Sequence, residues 1–166
     1  MKLLETRIDD RLVHGQIVTT WIQATRADTI VVADDNAAND SFQQTILKMA
    51  TPEGIKLIIK SLSDAATMFK ADQSNMGALL IVRSASDART LLESGIRVDK
   101  ITLGNITNKK SNLKRKMILK YVFASQEDAD NLMAISKMGV KLVAQTVPGE
   151  KSYDIMELMK KAGFYN

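Results

Sequence analysis

A chain of 166 residues, 45% hydrophobic and 25% charged, has the composition of one ordinary folded domain spanning 1–166, long enough to bury about 70% of its unfolded surface. It has no cysteine and one histidine, which excludes disulfides and thiolate centres and leaves too few ligands for a metallohydrolase, so neither metal nor cofactor is expected. The formal charge is +4, and no apolar run has the length of a signal-peptide core or approaches the roughly 20 residues of a membrane span, so the chain reads as cytoplasmic, with membrane association through partners.

The first element is a strand over Lys2 to Ile8, followed by a polar turn from Asp9 to Gly15 and a helix from Gln16 to about Arg26. The turn gathers Arg7, Asp9, Asp10, Arg11 and the chain's one histidine, His14, at the point where a strand passes into a helix. In open α/β sheets that is where ligands bind, because unpaired N–H groups and the positive end of the helix dipole favour an anion there. A neutral imidazole is a competent nucleophile near neutral pH and can accept a phosphoryl group and pass it on. Arg7 and Arg11 are then candidates for charge-assisted contacts to the phosphate oxygens, together with the first helical residues Gly15 and Gln16. Asp9 or Asp10 either orients the ring by accepting its other N–H or simply caps the helix. Trp21, seven residues beyond His14, reads as the anchor of this helix on the sheet.

Further along, Ile30 to Ala33 is an apolar run of the kind found in buried parallel strands, closed by Asp34 and Asp35. A helix follows over Asn36 to Met49, ending near Thr51-Pro52, then strands over Ile55 to Ile59 and Ala78 to Val82. Ser61, Ser84 and Ser125 each stand three residues before an aspartate and open a helix in capping-box fashion. Ser84 has two readings: a phosphate contact at the same sheet edge as His14, or an N-cap alone; its neighbour Arg83 either faces that site or is solvated. The remaining strands are Lys100 to Leu103, Met117 to Phe123 and Val140 to Thr146, before a last helix from about Ser152 to Ala162. Met133, Met138, Met156 and Met159 recur at helical spacings and read as core filler. The alternation predicts an α/β fold, an open, mainly parallel twisted sheet of about seven strands with helices on both faces. The stretch from Gly104 to Lys116 has no helical pattern for a parallel crossover, so one strand near it is expected to run antiparallel.

Lys109, Lys110, Lys114, Arg115 and Lys116 place five positive charges in eight positions. Of 23 basic residues 18 would remain without them, against 19 acidic, so the net +4 rests on this segment. It lies beyond a strand on the His14 edge and is positioned to steer an acidic partner or a phosphate, an effect that salt would weaken. A nucleic-acid or protein-binding module using the same loop is the competing reading. No exposed stacking aromatic supports nucleic acid, so none is expected. A triad of Ser84, His14 and Asp9 ranks last, because no G-x-S-x-G elbow is present.

The run Arg-Ile-Asp-Asp-Arg-Leu-Val-His-Gly-Gln-Ile-Val-Thr-Thr-Trp (7–21) resembles the active-site signature of the IIB components of the mannose, fructose and sorbose family of the bacterial sugar phosphotransferase system. Lys-Ile-Thr-Leu-Gly-Asn (100–105), Met-Gly-Val-Lys-Leu-Val-Ala-Gln-Thr-Val-Pro (138–148) and the overall length extend the resemblance to essentially the whole chain, although Gly104-Asn105 stands where many members carry paired glycines. The resemblance implies a protein-N(pi)-phosphohistidine–sugar phosphotransferase in which His14 takes a phosphoryl group from a IIA partner and gives it to a sugar bound by membrane IIC and IID subunits. It also implies that Arg7 and Arg11 are the basic residues beside that histidine, and it agrees with one antiparallel strand.

Overall fold

The computed structural model describes residues 1–107 and 114–165. In chain order the elements are β1 (Lys2–Asp9), α1 (Gly15–Thr25), β2 (Thr29–Ala33), α2 (Asp35–Ala38), α3 (Ser41–Ala50), β3 (Lys56–Lys60), α4 (Leu62–Ala71), β4 (Gly77–Val82), α5 (Ala85–Glu93), β5 (Lys100–Asn105), β6 (Lys116–Leu119), β7 (Val122–Ala124), α6 (Gln126–Lys137), β8 (Lys141–Ala144), β9 (Tyr153–Asp154) and α7 (Ile155–Lys161). The sheet order is β3-β2-β4-β1-β5-β8-β9, with β1 at its centre between β4 and β5. All pairings in it are parallel except β8 with β9.

Alternate side chains of the central strands feed two cores, as the period of two in a strand requires. Val31, Ala33, Leu80 and Val82 point to one face, where α4, α5, α6 and α7 cover them. Ile30, Val32, Leu79 and Ile81 point to the other, under α1, α2 and α3. Strand β1 departs from this apolar pattern. Its Ile8 joins the first core, but Glu5, Arg7 and Asp9 are buried polar residues along the strand. Glu5 accepts a hydrogen bond from Thr102 Oγ1 at 2.6 Å and lies 3.4 Å from Lys100 Nζ, so its charge is balanced from neighbouring β5.

The expected fold class holds, with three corrections of detail. The segment Met117 to Phe123 is a hairpin, β6 and β7 in a separate two-stranded sheet, because the chain reverses at Lys120-Tyr121 with Tyr121 at φ +70°. The helix expected over Asn36 to Met49 is two helices: Asp40 accepts hydrogen bonds from Phe42 N and Gln43 N and so caps a new start at Ser41. The antiparallel member of the main sheet is β9, at the place where the last helix was expected to begin, and α7 starts at Ile155 behind an Asp154 cap. Of the methionines read as core, Met159 is buried whereas Met138 is exposed. Among the described residues no helix is long and apolar enough to cross a membrane.

Candidate functional site

The turn after β1 is pinned at both ends, leaving one side chain outside. Asp10 N donates to Asn105 O on β5, and Leu12 N donates back to Asp9 O, each at 3.0 Å. Leu12 adopts φ +59°, a left-handed conformation costing a non-glycine residue about 1 kcal/mol. Burying its side chain, and that of Val13, in the core beside Leu47 and Val18 offsets that cost, since a buried leucine contributes about 2 kcal/mol. The next residue, His14, is exposed, with extended backbone at φ −134° and ψ 92°. It is the N-cap residue of α1, but its side chain makes no capping hydrogen bond, and no acidic residue stands in the first turn. Gly15 and Gln16 are exposed beside it, with nothing within 4 Å of the point where a Cβ on Gly15 would sit.

The other six helices begin differently. Asp34, Asp40, Ser61, Ser84, Ser125 and Asp154 each accept a backbone N–H in the first turn of the helix they precede. Among the described residues, α1 alone keeps its first-turn donors free of a side-chain cap. Those donors and the helix dipole form a site suited to an anion.

The two arginines have unequal places. Arg11 wraps side-on around Asp9, with Nε 3.0 Å from Oδ1 and Nη2 3.0 Å from Oδ2, while its own N–H also reaches Oδ1. Its side chain is 31% exposed, so the guanidinium is fixed yet still has a face toward solvent. Arg7 lies inside. It donates to Gln145 O and Thr146 O, stacks on Trp21 at 4.5 Å and sits 3.9 Å from Asp9 Oδ2. Burial lowers its pKa to about 10, against the opposing pull of the Asp9 and Glu5 carboxylates. Trp21 Nε1 donates to Thr146 O, which makes the indole the expected anchor and ties α1 to the segment after β8. Gly104 on β5 makes the arrangement sterically possible, since a Cβ there would lie 2.0 Å from Arg7 Nη2 and 2.7 Å from Asp9 Oδ2.

Neither carboxylate acts as the sequence suggested. Asp9 is taken up by the arginines, and Asp10 accepts from Asn105 Nδ2, Thr107 N and Thr107 Oγ1. Among the described residues no hydrogen bond joins either to the His14 ring, and neither caps α1. Their work is to hold the turn. Asn105 is therefore more than a departure from paired glycines, because its amide anchors Asp10.

Ser84 accepts from Asp87 N and caps α5, which packs on the face opposite α1, so of its two readings the structure favours the cap. Arg83 is the neighbour that turns toward the site. It grips Asp34 with Nε and Nη2, donates to Asp10 O and reaches Gln43 Oε1. Its own pKa is raised, first by the hydrogen bond to Asp34. Asp34 is held below the ordinary carboxylate range because the bonds from Arg83 and the N–H groups of Ala37 and Asn36 together outweigh its burial.

The basic segment divides. Lys109 and Lys110 lie outside the described residues. Lys114 is exposed, but Arg115 is paired with Asp128 and donates to Thr107 O. Lys116 donates to Ala162 O and sits over the Phe164 ring. Arg115 and Lys116, expected to serve docking, instead join the hairpin end to α6 and the C-terminal segment. Asp128 and Ala162 lie 13 and 46 residues from the side chains they hold, and Gln145, Thr146 and Thr107 lie farther still from Arg7 and Asp10, so no local signal marked them.

Comparison with known proteins places the chain and its fold in context. Residues 3–166 match the family described as PTS system sorbose subfamily IIB component. The chain is 30% identical over 161 residues to the fructose-specific EIIB component of Bacillus subtilis (strain 168), covering 96% of this chain and 97% of that protein. The crystal structure of the IIBSor domain of the sorbose permease from Klebsiella pneumoniae superposes with a TM-score of 0.92 at 26% identity, over 99% of this chain and 100% of that one. The mannose-specific EIIAB component of Escherichia coli (strain K12) is 22% identical over 156 residues, which is 93% of this chain but 47% of that protein.

Proposed function

The chain belongs to the sorbose subfamily of IIB components of the sugar phosphotransferase system, and from that premise we propose that His14 carries a phosphoryl group from a IIA phosphohistidine to a sugar held by membrane IIC and IID subunits. The observation that carries the reading is the exposure of the chain's single histidine at the one helix start, among the described residues, that lacks a side-chain cap. In the transfer, a ring nitrogen of neutral His14 attacks phosphorus and forms a new N–P bond. The donor's N–P bond breaks, with its electron pair returning to the donor ring; one proton leaves His14 through solvent and one is taken up by the donor. The second transfer repeats the step with a sugar hydroxyl as nucleophile, whose proton is released.

Little covalent machinery is needed, because such transfer is governed by positioning and by stabilising charge on the phosphoryl oxygens. The N–H groups of Gln16 and its neighbours in the first turn receive those oxygens, and Arg11 presents the free face of its guanidinium. Arg7, behind Asp9, contributes field and alignment rather than contact. An open site suits a carrier whose two reaction partners both arrive on other molecules. The EIIAB name of the mannose relative, whose length is about twice the matched part, supports a IIA donor. Fructose, sorbose and mannose appear in the names of three related proteins, in keeping with a sugar choice made by the membrane subunits. Under this reading the protein works at the inner face of the membrane, and Lys114, with Lys109 and Lys110, steers the acidic partners.

Intact-mass measurement after incubation with the upstream phosphotransfer proteins tests the proposal. One phosphoryl group, labile in acid, stable in alkali and mapped to His14, is expected, with none on His14→Gln. Label on any other residue of the wild-type chain would overturn it.

A further inference from the structure

Helix α3 shows solvent a face that its fold does not explain. Phe42, Ile46 and Met49 are 73%, 48% and 82% exposed, at the i, i+4, i+7 spacing that places side chains along one side of a helix. Three of the seven large hydrophobic side chains exposed among the described residues lie on this single helix. Leu47 points inward and already anchors α3, so the outer stripe contributes nothing to the core. Isolated exposed apolar residues are ordinary, but a contiguous row marks a surface for a partner.

The row leads to the proposed site. Ile46 lines a groove of about 330 Å³ together with Asp10, Arg11, Leu12 and Arg83, so the apolar surface and the turn that presents His14 share a wall. Arg83 joins them rigidly, reaching Asp10 O from one side and Gln43 Oε1 of α3 from another. Helices α1 and α3 also cover the same face of the sheet. Seven residues of helix span about 10 Å, whereas a stable protein contact covers about 800 Å² on each partner. A contact of that size around the turn that presents His14 extends readily across the groove that Ile46 lines.

We propose that Phe42, Ile46 and Met49 form the apolar part of the docking surface for the IIA phosphodonor, the folded partner that the EIIAB name of the mannose relative couples to a IIB chain. The proposal rests on the reading of His14 above and adds the surface that selects the donor. A truncated aromatic in such an interface commonly costs about tenfold in affinity.

The test compares two phosphoryl donors, the phosphorylated IIA protein of the same sugar system and phosphoramidate, a small reagent that phosphorylates imidazole without docking. Phe42→Gln combined with Ile46→Gln, and Met49→Gln alone, are measured beside Met138→Gln, an exposed methionine at the end of α6. The expected result is a KM for phosphorylated IIA raised about tenfold in the double variant and less in Met49→Gln. Labelling of His14 by phosphoramidate should stay at the wild-type rate in every variant, and Met138→Gln should match wild type with both donors. An unchanged KM for phosphorylated IIA overturns the proposal, as does equal slowing with both donors. So does a concentration-dependent dimer that the α3 variants dissociate while donor kinetics stay unchanged. If wild-type protein takes no label on His14 from either donor, the reading of His14 itself fails, and the docking surface falls with it.

Discussion

Helices α1 and α5 leave adjacent strands, β1 and β4, at the same edge of the sheet, yet their first turns are built for different ends. At α5, Ser84 closes the turn by accepting Asp87 N, and the helix start is complete without any ligand. At α1 the capping position is occupied by His14, whose side chain makes no such bond. Under the proposed role of His14, an extended residue at the cap position thus serves stability in one place and reactivity in the other. What separates them is a single residue, together with the arginine and carboxylate pair that holds the α1 turn rigid from behind.

The most severe way to erase the difference is His14→Ser, which gives α1 the start that the other helices have. All transfer from IIA should be lost, while unfolding free energy rises by about 1 kcal/mol, the usual contribution of an N-cap serine. Urea denaturation and phosphoryl labelling together check both halves; a variant that loses stability would show that α1 does not begin as described. Next in size is Asp9→Asn, which releases Arg11 from its side-on grip and leaves Arg7 with less countercharge. Transfer should fall between about tenfold and a hundredfold in kcat, with the KM for donor little changed, and stability should drop by about 3 kcal/mol. Arg11→Lys keeps the charge but not the planar fork, so about a tenfold fall in kcat is expected without the stability loss.

On the α5 side, Ser84→Ala should cost about 1 kcal/mol of stability and leave transfer untouched. A fall in transfer greater than the loss of folded protein would return Ser84 to the phosphate site. The smallest effect concerns pH. The Asp34 carboxyl, gripped by Arg83, is depressed in the folded protein, so its contribution to stability is complete above the ordinary carboxylate pKa and fades as pH falls through the depressed value. Urea midpoints followed downward from pH 5 should decline more steeply in wild type than in Asp34→Asn, which has no carboxyl there to protonate.

The sequence made most βα units legible because strands such as β2 and β4 are uninterrupted apolar runs and every helix except α1 opens on a serine or aspartate. It also picked out the candidate site, since His14 and Arg11 fall in the turn that follows Arg7. Asp40 carried a readable signal that the continuous periodicity of Asn36 to Met49 concealed: an aspartate immediately before Ser41-Phe42 is a helix start. The reversal at Tyr121 carried none, because no glycine or asparagine marks its positive φ. Likewise the partners of Asp10, at Asn105 and Thr107, and of Arg7, at Gln145 and Thr146, are nearly a hundred residues or more away in sequence and meet only when β1 lies beside β5. Local pattern therefore identified which residues gather at the turn, and long-range pairing determined what each of them does there.

Because the chain's only tryptophan stacks on the Arg7 guanidinium and donates to Thr146 O, the molecule carries an optical gauge of its own site. Under the proposed phosphorylation of His14, a shift of Arg7 or of the Thr146 segment would change the surroundings of that single indole, and emission would then follow loading and unloading in real time without an added dye.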